Sequence, residues 1–359
     1  MPNTTLQAAR AAKNDEFYTQ FYDIEREVEA YVQYNQDVFR GKTVLLPCDD
    51  PDCSNFTRYF AQNFERLGLK KLISTSYAIE SKQYKIGLQT SLLEEQSPQY
   101  DPDKSKTNGK IFILDSDRTG DGRIDLDDLQ WKYLHDDGDF RSDEVKSLRD
   151  EADVIITNPP FSLFRDFFAW IMEAGKEFLI IGNMSAISYK EFFPFIMENK
   201  VWLGVSSGAK EYIKPEGGVQ KMGNTCWFTN IDHGHRHQPL QLMTMEDNRR
   251  YTQHKNDRRW SFAYLQYDNY FAIKVPFVDA IPNDYEGVMA VPLSFLQKYC
   301  PTQFEIVGIT DRGNRYGLKS KEYTKEETPK YSDLNRRGVI KQNNQYISGF
   351  AELLIRKRK

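Results

Sequence analysis

Cysteine is scarce in this sequence. The 359 residues include four cysteines, Cys48, Cys53, Cys226 and Cys300, and no two of them have the C-x-x-C spacing of a zinc knuckle. Such scattered cysteines argue against a zinc site and against a disulfide framework. We therefore expect free thiols in a reducing cytoplasm and no bound metal.

Long apolar runs are also absent. No run approaches the ~20 residues that a membrane-spanning helix needs, and residues 1–13 lack the apolar centre of a signal peptide. Hydrophobic residues still make up 40% of the chain, which is enough for a substantial core. These features predict a soluble intracellular protein without a membrane partner, built as one large domain with an appendage or as two domains.

An overall excess of positive charge is missing as well. The formal net charge is -4, which taken alone speaks mildly against nucleic acid as a partner. Acidic residues crowd positions 101–153, whereas basic clusters recur later in the chain. This separation is compatible with one basic DNA-facing side, and equally with an ordinary mixed surface. The basic clusters are Arg249-Arg250, Lys255 to Arg259, Arg336-Arg337 and Arg356 to Lys359.

Short apolar runs alternate with amphipathic segments as far as about residue 235. Residues 43–46 and 72–73 predict buried strands, separated by a helix that Ser54 caps and Gly68 ends. This β-α-β rhythm predicts a parallel α/β sheet with helices on both faces. Helices are further predicted at 23–34, 163–173 and 189–197, and strands at 111–114, 154–156, 178–181, 201–203 and 226–228. Beyond the boundary near 235 the rhythm stops and tyrosines become frequent.

One short motif carries chemistry. Asn158-Pro159-Pro160-Phe161 directly follows a predicted strand, and ligand sites in open parallel sheets lie at such carboxyl ends. The N6 amine of adenine is a poor nucleophile because its lone pair is delocalised into the ring. The Asn158 side-chain oxygen and the Pro159 carbonyl can each accept one amine proton, which frees the lone pair and stabilises the positive charge that develops on nitrogen. Phe161 can stack on an extruded base.

The motif alone does not identify the methyl acceptor. A tetrapeptide of this kind is often a plain turn at the end of a strand, and related turns serve enzymes that act on ribosomal RNA bases or on protein glutamine. A methyltransferase for structured RNA or for protein glutamine is therefore one alternative. A catalytically idle DNA-binding module with the same fold is another, although the intact Asn158 turn argues against it.

Several further motifs occur in an order that resembles the EcoRI-type family of adenine-specific DNA methyltransferases, over nearly the whole chain. The resemblance rests on Asp15 to Thr19, Cys48 to Pro51 followed by Ser54-Asn55-Phe56, Gly138 to Ser142, Thr157 to Arg165, Ile180 to Asn183, Thr225 to Asn230 and Gly287 to Pro292.

This resemblance implies a class I methyltransferase fold with a Rossmann-like sheet and S-adenosylmethionine as the methyl donor. It implies double-stranded DNA with a short specific site as the substrate, and the gamma-like order of motifs. We expect residues 1–235 to form the cofactor-binding catalytic domain and residues 236–359 a smaller target-recognition region. We also expect a monomer, encoded by a bacterium or phage and associated with the nucleoid, with a separately acting restriction endonuclease as a possible partner.

The family's roles carry over by position. Asp15, Phe17, Tyr18 and Thr19 correspond to the segment that closes over the methionine part of the cofactor. Cys48, Asp49 and Asp50 correspond to the loop after the first strand, which lies against the cofactor, and Asn158 also borders it. Asp139 and Phe140 match the pair that holds the cofactor's adenine, since a carboxylate can accept from an exocyclic amine and an aromatic face can pack on a purine.

Residues 44–57 contain no glycine, unlike the glycine-rich first loop of many methyltransferases. The expected contacts of this loop with the cofactor therefore follow from the family resemblance and not from a glycine-rich sequence. For Asp49-Asp50 the alternative is a turn with solvated carboxylates that leads into a helix. Glu80 is a candidate for the ribose hydroxyls.

Other polar patterns leave alternatives open. Residues 117–128 resemble an EF-hand calcium loop, although a polar Asp-Gly turn is the favoured interpretation. The alternating His233, His235 and His237 can bind metal, whereas a solvated loop or a phosphate contact from Arg236 is favoured. In the tail, several tyrosines and arginines are candidates for base and phosphate contacts or, for the tyrosines, for packing. They are Tyr251, Tyr264, Tyr267, Tyr270, Arg249, Arg250, Arg258 and Arg259.

Overall fold

The computed structural model describes residues 18–47, 49, 54–78, 97–214, 218–251, 257–312, 318–328, 333–343 and 345–358. The α-helices are α1 (Phe21–Tyr34), α2 (Asn55–Gln62), α3 (Phe64–Leu67), α4 (Lys104–Thr107), α5 (Asp143–Glu151), α6 (Phe164–Glu173), α7 (Phe193–Met197) and α8 (Met245–Tyr251). The first nine strands are β1 (Tyr18–Thr19), β2 (Thr43–Leu46), β3 (Lys71–Ser76), β4 (Lys110–Leu114), β5 (Gln130–Tyr133), β6 (Val154–Thr157), β7 (Glu177–Asn183), β8 (Trp202–Ile213) and β9 (Val219–Thr229). The remaining six are β10 (Ile273–Lys274), β11 (Met289–Pro292), β12 (Phe304–Ile309), β13 (Val339–Gln342), β14 (Gln345–Ser348) and β15 (Glu352–Lys357).

The first nine strands form one sheet in the order β1-β8-β9-β7-β6-β2-β3-β4-β5. Its four central strands, β7, β6, β2 and β3, run parallel. The flanking strands β9 and β4 run antiparallel to their inner neighbours, and β5 runs antiparallel to β4. The predicted α/β fold is confirmed and is consistent with a class I methyltransferase. The parallel pairing that the β-α-β rhythm predicts is present in the four central strands, and the antiparallel pairing of their neighbours is an addition that the rhythm does not indicate.

The central strands are buried on both faces. Val154 and Ile156 of β6 belong to the same core cluster as Ile24 of α1 and Phe60 of α2. On the other face, helix α6 packs its rings on the sheet, with the Phe168 ring centroid 6.0 Å from that of Phe178 in β7. Strands covered on both faces need apolar side chains at successive positions. That is why their sequences read as continuous apolar runs rather than as alternating ones.

Two predicted helices are shorter in the structure, and each has a local cause. The helix after Ser54 is interrupted at Asn63, whose amide nitrogen Nδ2 donates to the Tyr59 carbonyl at 2.8 Å. This side-chain bond uses a carbonyl at the end of α2 and competes with continuation of the helix. The helix predicted at 189–197 begins only at Phe193, because Pro194 lacks an amide proton and is tolerated only in the first turn.

The chain forms two compact units. The first contains the described residues up to Asn183 together with Leu203–His233, and the second contains Met184–Trp202 together with the described residues from Gly234 onward. Residues 184–202 lie within the predicted first domain but pack in the second unit. There the Arg236 guanidinium lies 3.5 Å from the Trp202 ring centroid, and its Nη2 donates to Asn199 Oδ1 at 2.8 Å. The functional division into 1–235 and 236–359 stays a prediction.

The second unit has its own small sheet, in the order β10-β11-β15-β12, and a separate two-stranded ribbon, β13-β14. A nearly buried ion pair crosses the sheet, with Lys274 Nζ 2.5 Å from Glu352 Oε1. The Tyr267 hydroxyl donates to the other Glu352 oxygen. A buried carboxylate needs such partners because an unpaired charge is costly away from water.

None of the described helices has both the length and the apolar character needed to cross a membrane.

A buried carboxylate also ties helix α1 to the edge of the large sheet. Glu27 is 0% exposed, and it accepts hydrogen bonds from the backbone amides of Val205 and Ser206 at 2.7 and 2.8 Å. Gly204 lies directly beneath it. A Cβ at Gly204 would be 2.7 Å from the Trp227 Cβ, and it would be closer still to a Glu27 carboxylate oxygen. The absence of a side chain at position 204 therefore permits this contact.

We predict that Gly204→Ala destabilises the protein by about 1–3 kcal/mol, because the added methyl group overpacks this contact. Gly223→Ala is the matched control, since a Cβ at this strand glycine would meet no atom within 4 Å, and its effect should stay within about 0.5 kcal/mol. Urea unfolding monitored by circular dichroism measures both variants. Equal midpoints for the two would contradict the prediction.

Candidate active site

The loops after the parallel strands meet at one edge of the large sheet. Strands β2, β3 and β6 are neighbours and end at Leu46, Ser76 and Thr157. The carboxyl ends of parallel strands share one edge, where ligands of open α/β sheets bind. Asp49 and Asn158, which follow β2 and β6, are therefore brought together as the sequence predicts.

Asp49 joins these two loops through buried hydrogen bonds. Its Oδ1 accepts from the Ser54 hydroxyl and its Oδ2 from the Thr157 hydroxyl, each at 2.6 Å. Its main-chain carbonyl accepts from Thr57 at 3.0 Å and also from Ser74. Asp49 is 6% exposed, so the alternative of a solvated carboxylate is wrong for this residue. We call Ser54, Asp49 and Thr157 the Asp49 latch. Cys48 and Asp50 lie outside the described residues.

The catalytic turn is held next to this latch. Asn158 is partly buried, and Pro159 and Pro160 are buried. The Pro160 carbonyl accepts from the Leu163 amide at 2.9 Å and starts the short 3-10 turn that leads into α6. Because the Pro160 carbonyl serves the turn itself, the Pro159 carbonyl is the candidate main-chain acceptor for a substrate amine. Phe161 is partly buried and packs against the core below α1 and α2.

The described part of the N-terminal segment lies at the same end of the first unit. Tyr18 and Thr19 pair with the end of β8, and the Asn55 side chain donates to the Thr19 carbonyl at 2.8 Å. Asn55 directly follows Ser54 of the latch. The Thr19 hydroxyl is buried, and none of the residues that the structure describes makes a hydrogen bond with it. A buried polar atom of this kind suits a polar ligand group. Asp15 and Phe17 lie outside the described residues, as does Glu80.

Asp139 is held by its neighbour Arg141. Its Oδ1 accepts from the Arg141 backbone amide and from Nε, both at 2.8 Å, and its Oδ2 from Nη2 at 2.5 Å. Tyr77, which follows β3, adds a further side-chain hydrogen bond. Burial by itself would raise the pKa of Asp139, but the bonds from Arg141 outweigh it and lower that pKa below its ordinary value. The carboxylate is therefore ionised and oriented at neutral pH.

Phe140 is a core residue in this structure. It is 1% exposed, and its ring centroid lies 5.1 Å from that of Phe167 and 5.7 Å from that of Trp170, both in α6. This packing fixes the Asp139 loop against the helix that follows the catalytic turn. The predicted stacking of Phe140 on a purine stays a prediction, and it would require the ring to be uncovered.

Two glycines place this loop. Sequence reasoning included Gly138 in the family motif but did not identify Gly109. Gly138 has a φ of 85°, in the left-handed region that favours glycine. A Cβ at Gly109 would lie 2.6 Å from the Ser76 carbonyl and 2.7 Å from the Gly138 Cα. The chain passes so close to the end of β3 that a side chain has no room. The signal was present in the sequence as an isolated glycine beside an apolar strand.

The acidic loop at 117–128 turns its carboxylates toward backbone amides. Asp128 Oδ1 accepts from the amides of Arg118 and Thr119 at 2.7 and 2.8 Å, and Asp117 accepts from Gly120 and Gly122 at 2.6 and 2.9 Å. This is the polar Asp-Gly turn that the sequence favours. Within the described ranges, no group of three or more His, Cys, Asp or Glu residues is arranged to hold a metal ion.

Several residues that the sequence predicts in a solvated loop or in contact with DNA are buried instead. His233 is 2% exposed and has its Nε2 2.9 Å from the Leu203 carbonyl. Arg236 is 7% exposed, so the expected phosphate contact was wrong, because its guanidinium stacks on Trp202. Tyr267 and Tyr270 are core residues of the second unit, which leaves packing as their role. Tyr251 is 69% exposed.

Comparison with known proteins gives a family match over nearly the whole chain. The family model described as adenine-specific methyltransferase EcoRI matches residues 5–358. The type II methyltransferase M.EcoRI of Escherichia coli is 39% identical over 322 residues, covering 85% of this chain and 89% of that protein. The type II methyltransferase M.MpnI of Mycoplasma pneumoniae is 33% identical over 319 residues, covering 83% of each chain. No solved structure matches this chain.

We predict that Thr157→Val destabilises the protein by about 1–3 kcal/mol, because it leaves one buried Asp49 oxygen without its donor. Thr157→Ser keeps the hydroxyl and is the matched control, with a smaller loss from one removed methyl group. Urea unfolding at pH 7 measures the difference. A valine variant as stable as the serine variant would show that the latch contributes little.

The Asp139–Arg141 pair should make part of the stability depend on pH. The pKa of Asp139 is lowered in the folded protein, so its stabilising contribution is complete above the unfolded pKa and is lost as pH falls through the folded value. Arg141→Gln removes this contribution. We therefore expect the wild type to exceed the variant in urea midpoint at pH 7 and the difference to shrink by pH 3. A difference independent of pH would contradict the expectation.

Proposed function

This chain belongs to the EcoRI family of adenine-specific methyltransferases, and on that premise we propose that it methylates adenine N6 in double-stranded DNA with S-adenosylmethionine as donor. The observation that carries the proposal is the placement of the Asn158 turn. It follows a central parallel strand, at the sheet edge where the β2 and β3 loops also end. Its two prolines are buried, so its backbone carbonyls have few alternative directions.

The Asn158 turn can activate an exocyclic amine without a strong base. The Asn158 side-chain oxygen and the Pro159 carbonyl each accept one N6 proton, which makes the lone pair available for attack. The same oxygens stabilise the positive charge that develops on N6. Phe161, which is partly buried, presents an aromatic surface for the extruded base. A donor bound beside the turn would supply the methyl group and keep the carbon–sulfur bonding pair on its sulfur, and the extra N6 proton would then be released to water.

The residues around the turn fit the proposed donor. When bound, S-adenosylmethionine supplies a methyl group on a positively charged sulfur. The buried Thr19 hydroxyl is available for a polar group of its methionine part. The Asp139 carboxylate, which Arg141 keeps ionised, is the acceptor for its adenine amine. Tyr18 and Asn158 border the same region, and the roles of Asp15, Phe17, Cys48, Asp49, Asp50 and Phe140 follow from the family resemblance alone. Both the carboxylate and the main-chain carbonyl of Asp49 are already hydrogen-bonded within the protein.

We assign recognition of a short specific DNA site to the second unit, beyond residue 235. The candidate arginines that remain at the surface there, including Arg250 and Arg258, can contact phosphates. We further propose a monomer that acts in the bacterial cytoplasm, where its DNA substrate lies. The matched relatives are named type II methyltransferases, which supports a cognate restriction endonuclease that acts separately.

The rival functions make different predictions. A methyltransferase for structured RNA or protein glutamine would label RNA or protein and leave duplex DNA unlabelled. An idle DNA-binding module would bind duplex DNA and transfer no methyl group. Incubation of the purified protein with labelled donor and each acceptor class, followed by mass spectrometry of the nucleosides, separates the three. N6-methyladenine in duplex DNA is the expected product.

We predict that Asn158→Ala lowers kcat for methyl transfer by about 10²–10³-fold, because one acceptor of the N6 protons is removed. Cofactor affinity should change little, by less than about fivefold. Asn158→Asp keeps an acceptor oxygen at the same place and should retain more activity than the alanine variant. Single-turnover kinetics and calorimetric titration with the donor measure both quantities. Wild-type rates from Asn158→Ala would remove the catalytic assignment.

A further inference from the structure

A two-stranded antiparallel ribbon in the second unit ends in a cluster of carboxamide side chains. Its strands are β13 (Val339–Gln342) and β14 (Gln345–Ser348), and Gln342 is the register partner of Gln345. Asn343 begins the turn with a φ of 49°, which asparagine tolerates better than most residues. We call the segment from Val339 to Ser348 the amide ribbon.

The root of the amide ribbon is fixed in the core of the second unit. Val339 and Ile340 are 0% and 3% exposed. The buried Asn269 side chain accepts from the Val339 amide at 2.8 Å and donates to the Arg337 carbonyl at 2.8 Å. The Asp268 amide in turn donates to the Val339 carbonyl at 2.8 Å. Hydrogen bonds to the amide and the carbonyl of Val339, together with the buried side chains of Val339 and Ile340, therefore fix the point where the ribbon leaves the core.

The middle of the amide ribbon is braced by aromatic contacts. The Tyr346 ring centroid lies 5.5 Å from that of Tyr323 in an edge-on arrangement. The Tyr323 hydroxyl donates to Asp268 Oδ2 at 2.7 Å. Lys341 lies with its Nζ 5.5 Å from the Tyr346 ring centroid. These contacts keep the two strands from splaying before the tip, and such rigidity is what a recognition element needs.

The tip is exposed and bears no acidic group. Gln342, Asn343 and Gln345 are all exposed, and residues 339–348 contain one lysine and no aspartate or glutamate. The turn explains Asn343, but it does not explain two glutamines at paired strand positions, where β-branched and aromatic residues are preferred. A solvated strand end would tolerate many polar residues, including carboxylates that would repel a phosphate backbone.

We propose that the amide ribbon enters the major groove of the substrate DNA and that Gln342 and Gln345 read adenine bases of the recognition site. The major groove admits a two-stranded ribbon, and a glutamine carboxamide matches the adenine edge by accepting from N6 and donating to N7. Lys341, at the base of the tip, is placed for a phosphate, which contributes affinity without sequence preference. The inference rests on the proposed function, because it takes duplex DNA as the substrate.

The test compares two double variants. The ribbon variant is Gln342→Ala/Gln345→Ala, and the control variant is Gln33→Ala/Gln36→Ala. The control removes two exposed glutamines with the same spacing from the first unit. Sequencing of modified DNA from cells that express the wild type first identifies the methylated motif. Duplexes with that motif, with single A·T pairs replaced, and with a scrambled sequence are then used to measure kcat/KM and Kd for each variant.

We expect the ribbon variant to lose discrimination against at least one replaced A·T pair by roughly tenfold or more. Its Kd for the scrambled duplex and for the cofactor should match those of the wild type and of the control. Lys341→Ala should instead weaken binding to all duplexes by a similar factor and reduce the salt dependence of Kd. If the glutamine variant melts early, Gln342→Met/Gln345→Met replaces it, because methionine keeps the side-chain length and lacks the carboxamide, and the same loss of discrimination is expected.

Unchanged discrimination in a folded ribbon variant would overturn the proposal while leaving the methyltransferase function intact. A wild-type protein that methylates no duplex would be a different outcome, since it would remove the proposed function and with it the ribbon's target. An equal loss of discrimination in the control variant would also count against a specific role for the ribbon.

Discussion

Asp49 occupies a position on which the geometry of the sheet edge depends. Its two carboxylate oxygens each receive a hydroxyl, one from the start of α2 and one from the end of β6. The distance between the loop after β2 and the end of β6 is therefore fixed, because both are hydrogen-bonded to the same carboxylate group. A buried acceptor that loses a donor incurs a desolvation penalty. Relative movement of the two loops is accordingly disfavoured.

Burial also restrains the Asn158 turn. Its prolines are enclosed, and the residue before it, Thr157, is 0% exposed. In the reaction that we propose, acceptor oxygens on such a restrained turn would need little reorganisation when charge develops. Arg141 has the corresponding effect on Asp139, where it opposes the cost of burying a carboxylate and lowers the pKa of that group. The Asp139 carboxylate is thereby held in one orientation by its neighbour.

Features that depend on residues close together in the sequence could be predicted, whereas features that depend on distant residues could not. The central strands were predictable because burial on both faces produces continuous apolar runs, and the Asn158 turn because four adjacent residues define it. The latch was not, since Thr157 and Asp49 are 108 residues apart. The break at Asn63 comes from one side chain that competes with the helix, and the late start of α7 from Pro194. Strand direction outside the four central strands depends on loop paths that periodicity does not encode.

Residues 184–202 belong to the second unit although they lie between two segments of the first. This arrangement limits how the chain can be truncated or recombined. The polypeptide leaves the large sheet after β7, contributes α7 to the second unit, and returns as β8. The second unit is consequently discontinuous in sequence. A fragment that stops near residue 235 retains α7 without its native packing partners and exposes apolar residues such as Phe193 and Ile196, which are 0% and 1% exposed in the intact protein. Exchange of this unit between relatives, whether in a laboratory chimaera or by recombination, therefore requires two crossover points.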